Sequence, residues 1–456
     1  MRTRRRRLTH PARALTIFRR KKPPHPAAEA FLEARIMKKL DVVIVGGGMI
    51  TQLQILPSIL YLRRTGKIGD ITVSALNGRP LKALAESNLF TNAFPGDTFR
   101  PLPDFNKVDI DKPFPDLFKE AIAALPPYNL VVVAVPDQMH YGVLKTALEH
   151  NQHVMCVKPL VLKYDQAVEI EKEALAKGLF IGVEYHKRFD RQNIMARRLC
   201  RDGKFGEFVL GHASLIEPYY YRSSNFQNWF TTENTDPFTY IGCHYVDLVA
   251  FITGLKPVEV SVDGKIGSFP NGNKGFLWSD GRVRWENGAI FDVINGLGYP
   301  NAAAGGNMQG LQMFFEGKQD GGYLEHQDQF RGVKHSYVVL DDEPGASLYN
   351  EPNPHYFRLL SRGGDFLTPV GYGYESIEAI ILGAMRVNEA AADASGNAAT
   401  ALRRSAIAKI DEEGIIATPA NSSYNELVVE AARLSILNDG RKAVIEYGGT
   451  PRARLK

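Results

Sequence analysis

One segment, residues 41–76, limits what this chain can fold into more than any other part of the sequence. The short apolar run 41–45 leads into Gly46-Gly47-Gly48, which is followed by a helical stretch to about Arg64 and a second apolar run, 71–76. Apolar runs of this length are typical of strands buried on both faces of a parallel sheet. A strand, a glycine-rich turn, a helix and a strand, in this order, are typical of a dinucleotide-binding unit. The segment therefore predicts NAD or NADP as a cofactor.

The residues of the glycine turn are the first predicted cofactor contacts. Gly46 permits the tight turn, and Gly48 lets the backbone approach a pyrophosphate at the N-terminus of a helix that begins with Met49 and Ile50. Thr51 stands where such turns usually carry a third small residue. The alternative interpretation is a tight strand-to-helix turn that binds no ligand.

The end of the second apolar run bears on the choice between NAD and NADP. An acidic residue at this point usually holds the ribose hydroxyls of NAD, but here the run ends in Asn77-Gly78-Arg79. Asn77 can hydrogen-bond a ribose, and Arg79 can pair with a 2′-phosphate, so we expect a slight preference for NADP. The alternative is an exposed arginine in a turn.

Two further apolar runs, 129–135 and 153–157, also end in residues of possible function. Pro136 and His140 follow the first run, and Lys158 follows the second. Ligands of open α/β sheets bind at the carboxyl ends of the strands. These three residues are therefore predicted to lie beside the cofactor.

Composition restricts the class of protein. The 456 residues suffice for two or three domains, and 44% hydrophobic and 23% charged residues are ordinary for a soluble globular chain. No apolar stretch reaches the roughly 18–20 residues that cross a bilayer. The three cysteines cannot form a disulfide framework and lack the Cys-x-x-Cys spacing of a zinc site. We expect a cytoplasmic protein with no membrane contact and no metal site.

The basic charge is concentrated in residues 1–36. This segment holds 11 of the 55 Lys and Arg residues but only 2 of the 50 Asp and Glu residues, so the rest of the chain is mildly acidic. We expect a disordered tail, or a true start at Met37. A targeting segment is the first alternative and nucleic-acid contact the second, and nucleic acid is not favoured as a partner.

Residues 37–160 are thus predicted to form a Rossmann domain in an α/β protein, and residues 161–456 a second domain for substrate binding and oligomerisation. The second region begins with a helix and the strand 180–185. Strand-like runs follow at 208–215, 258–266, 285–294 and 308–315, and helical patterns at 376–391 and 424–438. Successive strands of this kind predict a sheet that differs from the first one.

In their order and spacing these motifs resemble the Gfo/Idh/MocA family, the group of glucose–fructose oxidoreductase and inositol dehydrogenase, from residue 38 to about residue 447. The residues that carry the resemblance are Val43 to Gly48, Ala134-Val135-Pro136 with His140, His153 to Leu160, Gly182 to Tyr185 with Arg188-Phe189, and Gly242 to Asp247. The resemblance implies a Rossmann domain, an open, mostly antiparallel C-terminal α+β domain, hydride transfer between a nicotinamide and a carbohydrate or polyol, and a homodimer or homotetramer. Two positions depart from the family pattern: Val157 precedes the lysine where the family has an acid, and Tyr240 replaces a frequent aspartate.

Four residues are predicted to carry the chemistry. The resemblance gives Lys158 and His244 the catalytic roles, and a histidine suits proton transfer because its ordinary pKa of ~6.5 lies near neutral pH. Asp247, one helical turn after His244, is expected to orient that histidine or to hold substrate hydroxyls, and Tyr240 to join the proton relay. The structural alternatives are a capping or solvated acid and a core tyrosine.

Three further residues are predicted substrate contacts. His186 and Arg188 follow the strand 180–185, and Trp229 belongs to an aromatic and polar stretch of the kind that binds sugars. A surface turn and a packed aromatic cluster are the alternatives.

The sequence leaves three functions open. The first is an NAD(P)-dependent oxidoreductase of a sugar, glycoside or polyol. The second is a glycoside-cleaving enzyme that uses tightly bound NAD transiently, and the third is a non-catalytic nucleotide sensor.

Overall fold

A computed structural model describes residues 38–303, 306–317, 321–327 and 355–456. The predicted basic tail, residues 1–36, lies outside the described residues. Within the described part of the chain, no helix combines the length and the apolar character needed to span a bilayer.

The first sheet has six parallel strands in the order β3-β2-β1-β4-β5-β6. Its strands are β1 (Leu40–Val45), β2 (Ile68–Ser74), β3 (Arg100–Leu102), β4 (Leu130–Val133), β5 (His153–Val157) and β6 (Ile181–Glu184). The helices of this region are α1 (Leu56–Arg64), α2 (Gly78–Ala85), α3 (Asn88–Ala93), α4 (Leu117–Ala123), α5 (His140–Glu149) and α6 (Tyr164–Lys177). A strand order that reverses beside β1 is the Rossmann arrangement, and it opens a crevice at the carboxyl ends of β1 and β4.

The parallel sheet continues past residue 160, where the sequence placed the start of the second domain. The strand β6 pairs with β5 along its whole length, from Val154 opposite Ile181 to Val157 opposite Glu184. The helix α6 and the strand β6 therefore belong to the first sheet, because a parallel neighbour needs a crossover helix to reach its place.

The second sheet has eight strands in the order β12-β11-β7-β10-β9-β8-β15-β16. The strands after residue 185 are β7 (Glu207–Pro218), β8 (Pro257–Ser268), β9 (Lys274–Trp285), β10 (Ile290–Tyr299), β11 (Met308–Glu316), β12 (Gly321–Gln327), β13 (Arg358–Leu360), β14 (Thr368–Val370), β15 (Ala443–Glu446) and β16 (Arg452–Leu455). The pair β7 and β10 is parallel and the other pairs of the large sheet are antiparallel. The two sheets confirm the predicted fold class.

Helices cover one face of the second sheet and link it to the first. The helices after residue 185 are α7 (Arg191–Arg201), α8 (Phe226–Trp229), α9 (Cys243–Thr253), α10 (Tyr372–Glu389), α11 (Gly396–Glu413), α12 (Pro419–Ser422) and α13 (Tyr424–Ile436). Ten of the eleven residues of α9 are buried, which is the pattern of a helix enclosed on all sides. It is followed by Gly254, whose φ of 82° is the left-handed conformation favoured directly after a helix C-terminus.

The helix α13 holds the segment that follows β5. The carboxylate of Glu426 accepts a hydrogen bond from the backbone N–H of Leu160 at 3.2 Å. One turn later, Glu430 accepts from the N–H of Tyr164 at 3.1 Å. These two bonds join residues that are 266 positions apart, so the conformation after Lys158 depends on the C-terminal part of the chain.

One predicted strand is wrong in its bounds. Residues 285–294 were expected to form a single strand, but Trp285 ends β9 and Ile290 begins β10. Gly288, with a φ of 90°, lies in the turn between them. The apolar residues on both sides of this turn hide it in the sequence pattern.

Candidate active site

The glycine turn after β1 has the conformation that its sequence requires. Gly46 has a φ of 117°, and a Cβ atom at this position would lie 2.0 Å from the carbonyl oxygen of Ala134. Only glycine permits this close approach of the chain after β1 to the chain after β4. Thr51 is fully buried and its hydroxyl donates to the carbonyl of Gly46 at 2.7 Å, so the residue that replaces the third glycine closes the turn.

A cleft of about 490 Å³ opens beside this turn. One wall is formed by Gly48, Met49 and Ile50, and another by Pro136 and Asp137 at the end of β4. A Cβ atom on Gly48 would meet no atom within 4 Å, so the backbone is open on this side. The first N–H groups of a helix lack partners within it and attract anions. The described residues therefore fit a dinucleotide with its pyrophosphate at the glycine turn.

A smaller cavity of about 110 Å³ adjoins the cleft. Met49, Ile50 and Tyr240 line both spaces. The inner cavity is also lined by Lys158 and His244, the two residues predicted to carry the chemistry. A molecule in the inner cavity would thus contact both side chains and the end of a ligand in the cleft.

Lys158 lies immediately after β5 and reaches across to the second domain. Its ammonium group donates a hydrogen bond to the backbone carbonyl of Tyr240. The same nitrogen lies 3.9 Å from the centroid of the Tyr240 ring. A carbonyl oxygen and an aromatic face both attract a cation, so the two contacts hold the positive charge at the wall of the inner cavity.

His244 lies in the first turn of α9 and is only 7% exposed. Burial lowers the pKa of His244 well below its ordinary value, and the positive charges of Lys158 and Lys187 and the ring of His186 lower it further. Its Nδ1 is buried and has no hydrogen-bond partner among the described residues. The imidazole is consequently neutral near pH 7, which is the form that accepts a proton.

His186 lies between His244 and a buried carboxylate. Its Nδ1 is 3.0 Å from Oε2 of Glu184, and its ring centroid is 4.7 Å from that of His244. The other carboxylate oxygen accepts hydrogen bonds from Gln54 at 2.9 Å and from Ser376 at 2.7 Å. Glu184 is therefore fixed in place and orients His186, a role that the sequence reasoning did not assign to it.

Glu217 is a second acid that the sequence reasoning missed. It extends from β7 into the inner cavity, and its Oε2 is buried without a partner among the described residues. Burial raises the pKa of Glu217 to about 7, although Lys158 and a hydrogen bond from Asn307 oppose this change. A carboxyl group that titrates near neutral pH is suited to proton transfer.

Asp247 and Arg188 do not contact the inner cavity, contrary to expectation. The guanidinium of Arg188 forms two hydrogen bonds with the carboxylate of Asp247, at 2.6 and 2.7 Å, and both side chains are buried. Tyr424 and Asn425 donate to the same carboxylate. The carboxylate of Asp247, which was expected to orient His244, therefore forms a buried ion pair with Arg188.

Tyr240 and Trp229 belong to an aromatic cluster in the wall of the cleft. The ring of Tyr240 contacts those of Phe226, Trp229 and Phe230 at centroid distances of 5.4–5.7 Å. Burial raises the pKa of Tyr240 well above its ordinary value, which disfavours its predicted part in a proton relay. Trp229, a predicted substrate contact, lines the cofactor cleft and not the inner cavity.

Three predicted cofactor contacts form hydrogen bonds within the protein. The ring nitrogens of His140, a completely buried residue, lie 2.8 and 2.9 Å from the carbonyl oxygens of Pro159 and Val135. Asn77 caps α2 by accepting from the N–H of Arg79. The guanidinium of Arg79 donates two hydrogen bonds, at 2.7 and 2.6 Å, to Asp111. The sequence reasoning did not include this acid, which belongs to the long segment after β3.

The fold and the cleft define a two-domain, dinucleotide-binding α/β protein. Residues 40–185 match the model of an oxidoreductase family with an NAD-binding Rossmann fold, and residues 194–303 match the C-terminal domain of the Gfo/Idh/MocA group. The chain belongs to the Gfo/Idh/MocA oxidoreductase family, as its motifs indicated.

Individual relatives match over shorter stretches. The chain is 36% identical over 88 residues to inositol 2-dehydrogenase of Rhodococcus jostii, which is 19% of this chain and 24% of that protein. It is 27% identical over 136 residues to D-glucoside 3-dehydrogenase of Escherichia coli, which is 29% of this chain and 37% of that protein. The matches thus span about a quarter and just over a third of these two relatives. The fold is similar to that of GenD2 from gentamicin A biosynthesis, solved with NAD: the TM-score is 0.61, the identity 16%, and the coverage 91% of this chain and 98% of GenD2.

Proposed function

We propose that this protein is an NAD(P)-dependent dehydrogenase that acts on a hydroxyl-bearing carbon of a sugar, glycoside or polyol. The observation that carries the proposal is the inner cavity, in which Lys158 and the neutral His244 line one small space beside the cofactor cleft. The family membership and the inositol and glucoside dehydrogenases among the relatives support this substrate class.

The side chains of the cavity have complementary roles in this proposal. A bound nicotinamide would accept the hydride from the substrate carbon, or donate it in the reverse direction. His244 takes up the hydroxyl proton, because burial among positive charges keeps its ring neutral. Lys158 hydrogen-bonds the same oxygen and stabilises the negative charge that develops there. Glu184 and His186 act as positioning residues for the ring of His244.

We further propose that the cofactor is NAD in preference to NADP, which reverses the slight preference expected from Arg79 alone. Asp111 forms a bidentate pair with one edge of the Arg79 guanidinium, through Nε and Nη2, so this charge already has a carboxylate partner. A 2′-phosphate would have to compete with Asp111 for Arg79 and would be repelled by the carboxylate. The family model, which describes an NAD-binding fold, is consistent with this choice.

The second candidate function is cleavage of a glycoside through transient oxidation of the sugar. Glu217 favours this function. Oxidation of an alcohol needs one proton acceptor, which is His244, but the inner cavity also contains Glu217 as a second group that titrates near neutral pH. A protonated carboxyl group can donate to the leaving oxygen of a glycosidic bond. In that reaction the nicotinamide would end in the oxidation state in which it began.

The experiment that tests these proposals is a panel of sugars, polyols and glycosides, each assayed with NAD and NADP. Net dehydrogenation increases the absorbance of the reduced nicotinamide. Release of the aglycone without that increase selects the glycoside-cleaving function. Binding of the dinucleotide without turnover of any compound would contradict both enzymatic functions and favour the nucleotide sensor.

We also propose that the second domain forms a homo-oligomer through the outer face of its sheet. Leu210, Phe314 and Tyr323 lie side by side on β7, β11 and β12 and are 40–50% exposed, and Ile294 on β10 is 49% exposed. An apolar row of this kind is costly to leave in water. Light scattering should give a multiple of 50.7 kDa for the wild type and about that mass for Phe314→Lys. A monomeric wild type would contradict the proposal.

A further inference from the structure

A third cavity, of about 480 Å³, shares no lining residue with the cofactor cleft or the inner cavity. It is bounded by α7, by the C-terminal end of α9 and by the segment around α12. Its distinguishing feature is basic charge, because Arg188, Arg197, Arg201 and Lys256 all line it. We call it the arginine cavity.

The arginines of this cavity differ in how their charges are compensated. Arg188 is neutralised by its ion pair with Asp247. Arg197 and Arg201, which are neighbours on one face of α7, form no ion pair with a carboxylate among the described residues. Arg201 donates to the backbone carbonyls of Ala250, Phe251 and Ile252 at 3.1–3.4 Å. Two positive charges therefore face the cavity without a carboxylate partner among the described residues.

Of the three arginines that line this cavity, Arg197 has the fewest hydrogen bonds to described residues. Its only hydrogen bond to a described residue is a long one, 3.4 Å, to the carbonyl of Glu413, and its buried Nε has no partner there. Its guanidinium lies 5.1 Å from the ring of Phe251, and that of Arg188 lies 5.3 Å from the same ring. Burial lowers the pKa of Arg197, and the charges of Arg201 and Arg188 lower it further. An anion beside Arg197 would relieve this repulsion.

The acids in the lining do not supply that anion. Asp411 and Glu412 also line the cavity, but neither forms an ion pair with Arg197 or Arg201. Asp411 instead accepts a hydrogen bond from the hydroxyl of Thr418, and burial raises its pKa. The carboxylates thus leave the α7 side of the cavity positive.

We propose that the arginine cavity binds a small anion that carries a phosphate or sulfate group, held between Arg197 and Arg201. Guanidinium groups match the oxygens of these anions because each presents several N–H donors in a fixed plane. The cavity is larger than one such group, and Tyr164, Phe251 and Tyr447 line the remaining space. This pattern suits an organic phosphate or sulfate ester, and it is independent of the nicotinamide chemistry.

Equilibrium dialysis of the full chain with labelled inorganic phosphate tests this site. NAD is added at saturation so that the glycine turn cannot take up phosphate. We expect saturable binding of one phosphate per chain, competition by sulfate, and at least a roughly tenfold loss of affinity in Arg197→Met or Arg201→Met. The matched control is Arg198→Met on the same helix, because the Arg198 side chain is 83% exposed and faces Asp202 at 3.8 Å.

The outcomes separate the possible sites. Absence of saturable binding at millimolar phosphate, or equal affinity of Arg197→Met and wild type, would overturn the proposal. If NAD does not bind, phosphate could still bind at the glycine turn. Such binding would persist in Arg197→Met and Arg201→Met, whereas phosphate binding in the arginine cavity would be lost in both variants. If Arg197→Met fails to fold by circular dichroism, Arg201→Met provides the same test from the other side of the site.

Discussion

The rings of His186 and His244 lie 4.7 Å apart, centroid to centroid, at an angle of 45°. His186 is in turn hydrogen-bonded to Glu184 at 3.0 Å. The family pattern often has an aspartate four residues before the histidine, where this chain has Tyr240. A carboxylate and an imidazole from the end of β6 therefore lie behind His244 in place of a carboxylate from its own helix.

We expect both Lys158→Ala and His244→Ala to lose turnover while keeping the cofactor. Loss of the lysine should cost on the order of 10²–10³-fold, as does removal of one preorganised donor. Loss of the histidine should cost roughly 10²–10⁴-fold, the range of general acid–base catalysis. Steady-state kinetics and dinucleotide titration check both, with the exposed His212→Ala as control. Turnover within a fewfold of wild type in both variants would remove the assigned chemistry.

The pH dependence of turnover should depend on the positive charges around His244, because these charges lower its pKa. Because burial and these charges hold its pKa well below 6.5, activity should stay constant through neutral pH and fall only in acid. Lys187→Met removes one of the charges and leaves Lys158 in place, so the acid limb should move to higher pH. An acid limb at the same pH in wild type and variant would contradict this account of the histidine.

Glu217→Gln separates the two enzymatic functions. The substitution keeps the size of the side chain but removes a proton that the carboxyl group loses near pH 7. If Glu217 protonates a leaving group, glycoside cleavage should fall on the order of 10²–10⁴-fold and lose its decline above pH 7. Oxidation of a simple polyol should stay within a fewfold. A similar fall in both reactions would show that Glu217 holds the substrate and does not donate the proton.

Asp111→Asn should shift cofactor preference towards NADP. The change frees the Arg79 guanidinium and removes a carboxylate that repels a 2′-phosphate. The pair is exposed, so we expect a gain of roughly two- to fivefold in NADP affinity, smaller at high salt. Titration with both cofactors measures it, and Arg79→Ala in the Asp111→Asn background should cancel the gain. A wild type that already prefers NADP would contradict the proposed role of Asp111.

His153 should make the stability of the fold depend on pH. Its Nδ1 accepts from the N–H of Phe180 at 2.9 Å, and burial lowers its pKa from 6.5 to about 4. As the pH falls from 6.5 to about 4, His153 is protonated in the unfolded chain but stays neutral in the folded chain. The free energy of unfolding therefore decreases. The total loss is about 3 kcal/mol and is complete below pH 4. Urea denaturation at several pH values should show a flatter dependence for His153→Gln; equal slopes in variant and wild type would contradict the linkage.

Local patterns explain why much of the fold could be predicted. The glycine turn, β1 and β5 each have their signal within a few neighbouring residues, and the structure has them at nearly the predicted positions. The strand β9 was missed because its glycines and charged residues interrupt the alternation of apolar and polar positions. The turn before β10 was missed because apolar residues flank it.

The partners within the site were less predictable because they are distant in sequence. Asp247 was assigned to its helical neighbour His244, but its ion pair with Arg188 joins residues 59 positions apart. Arg79 was predicted to be available to a 2′-phosphate, because nothing near it in the sequence indicates its pairing with Asp111, which lies 32 positions later. Glu217 and Glu184 each lie at the C-terminal end of a largely apolar strand, and only the packed structure shows that one faces the inner cavity and the other a histidine.

The hydrogen bonds from Glu426 and Glu430 to the segment after β5 have a consequence for how the protein is made. The segment that carries Lys158 emerges from the ribosome well before its partners, because 266 residues separate Leu160 from Glu426. Domains generally fold as the chain is synthesised, from the N-terminus onwards. Lys158 nevertheless reaches its final surroundings only after residues 426 and 430 have been synthesised, so the glycine turn of the nascent chain can form long before the reactive lysine is in place.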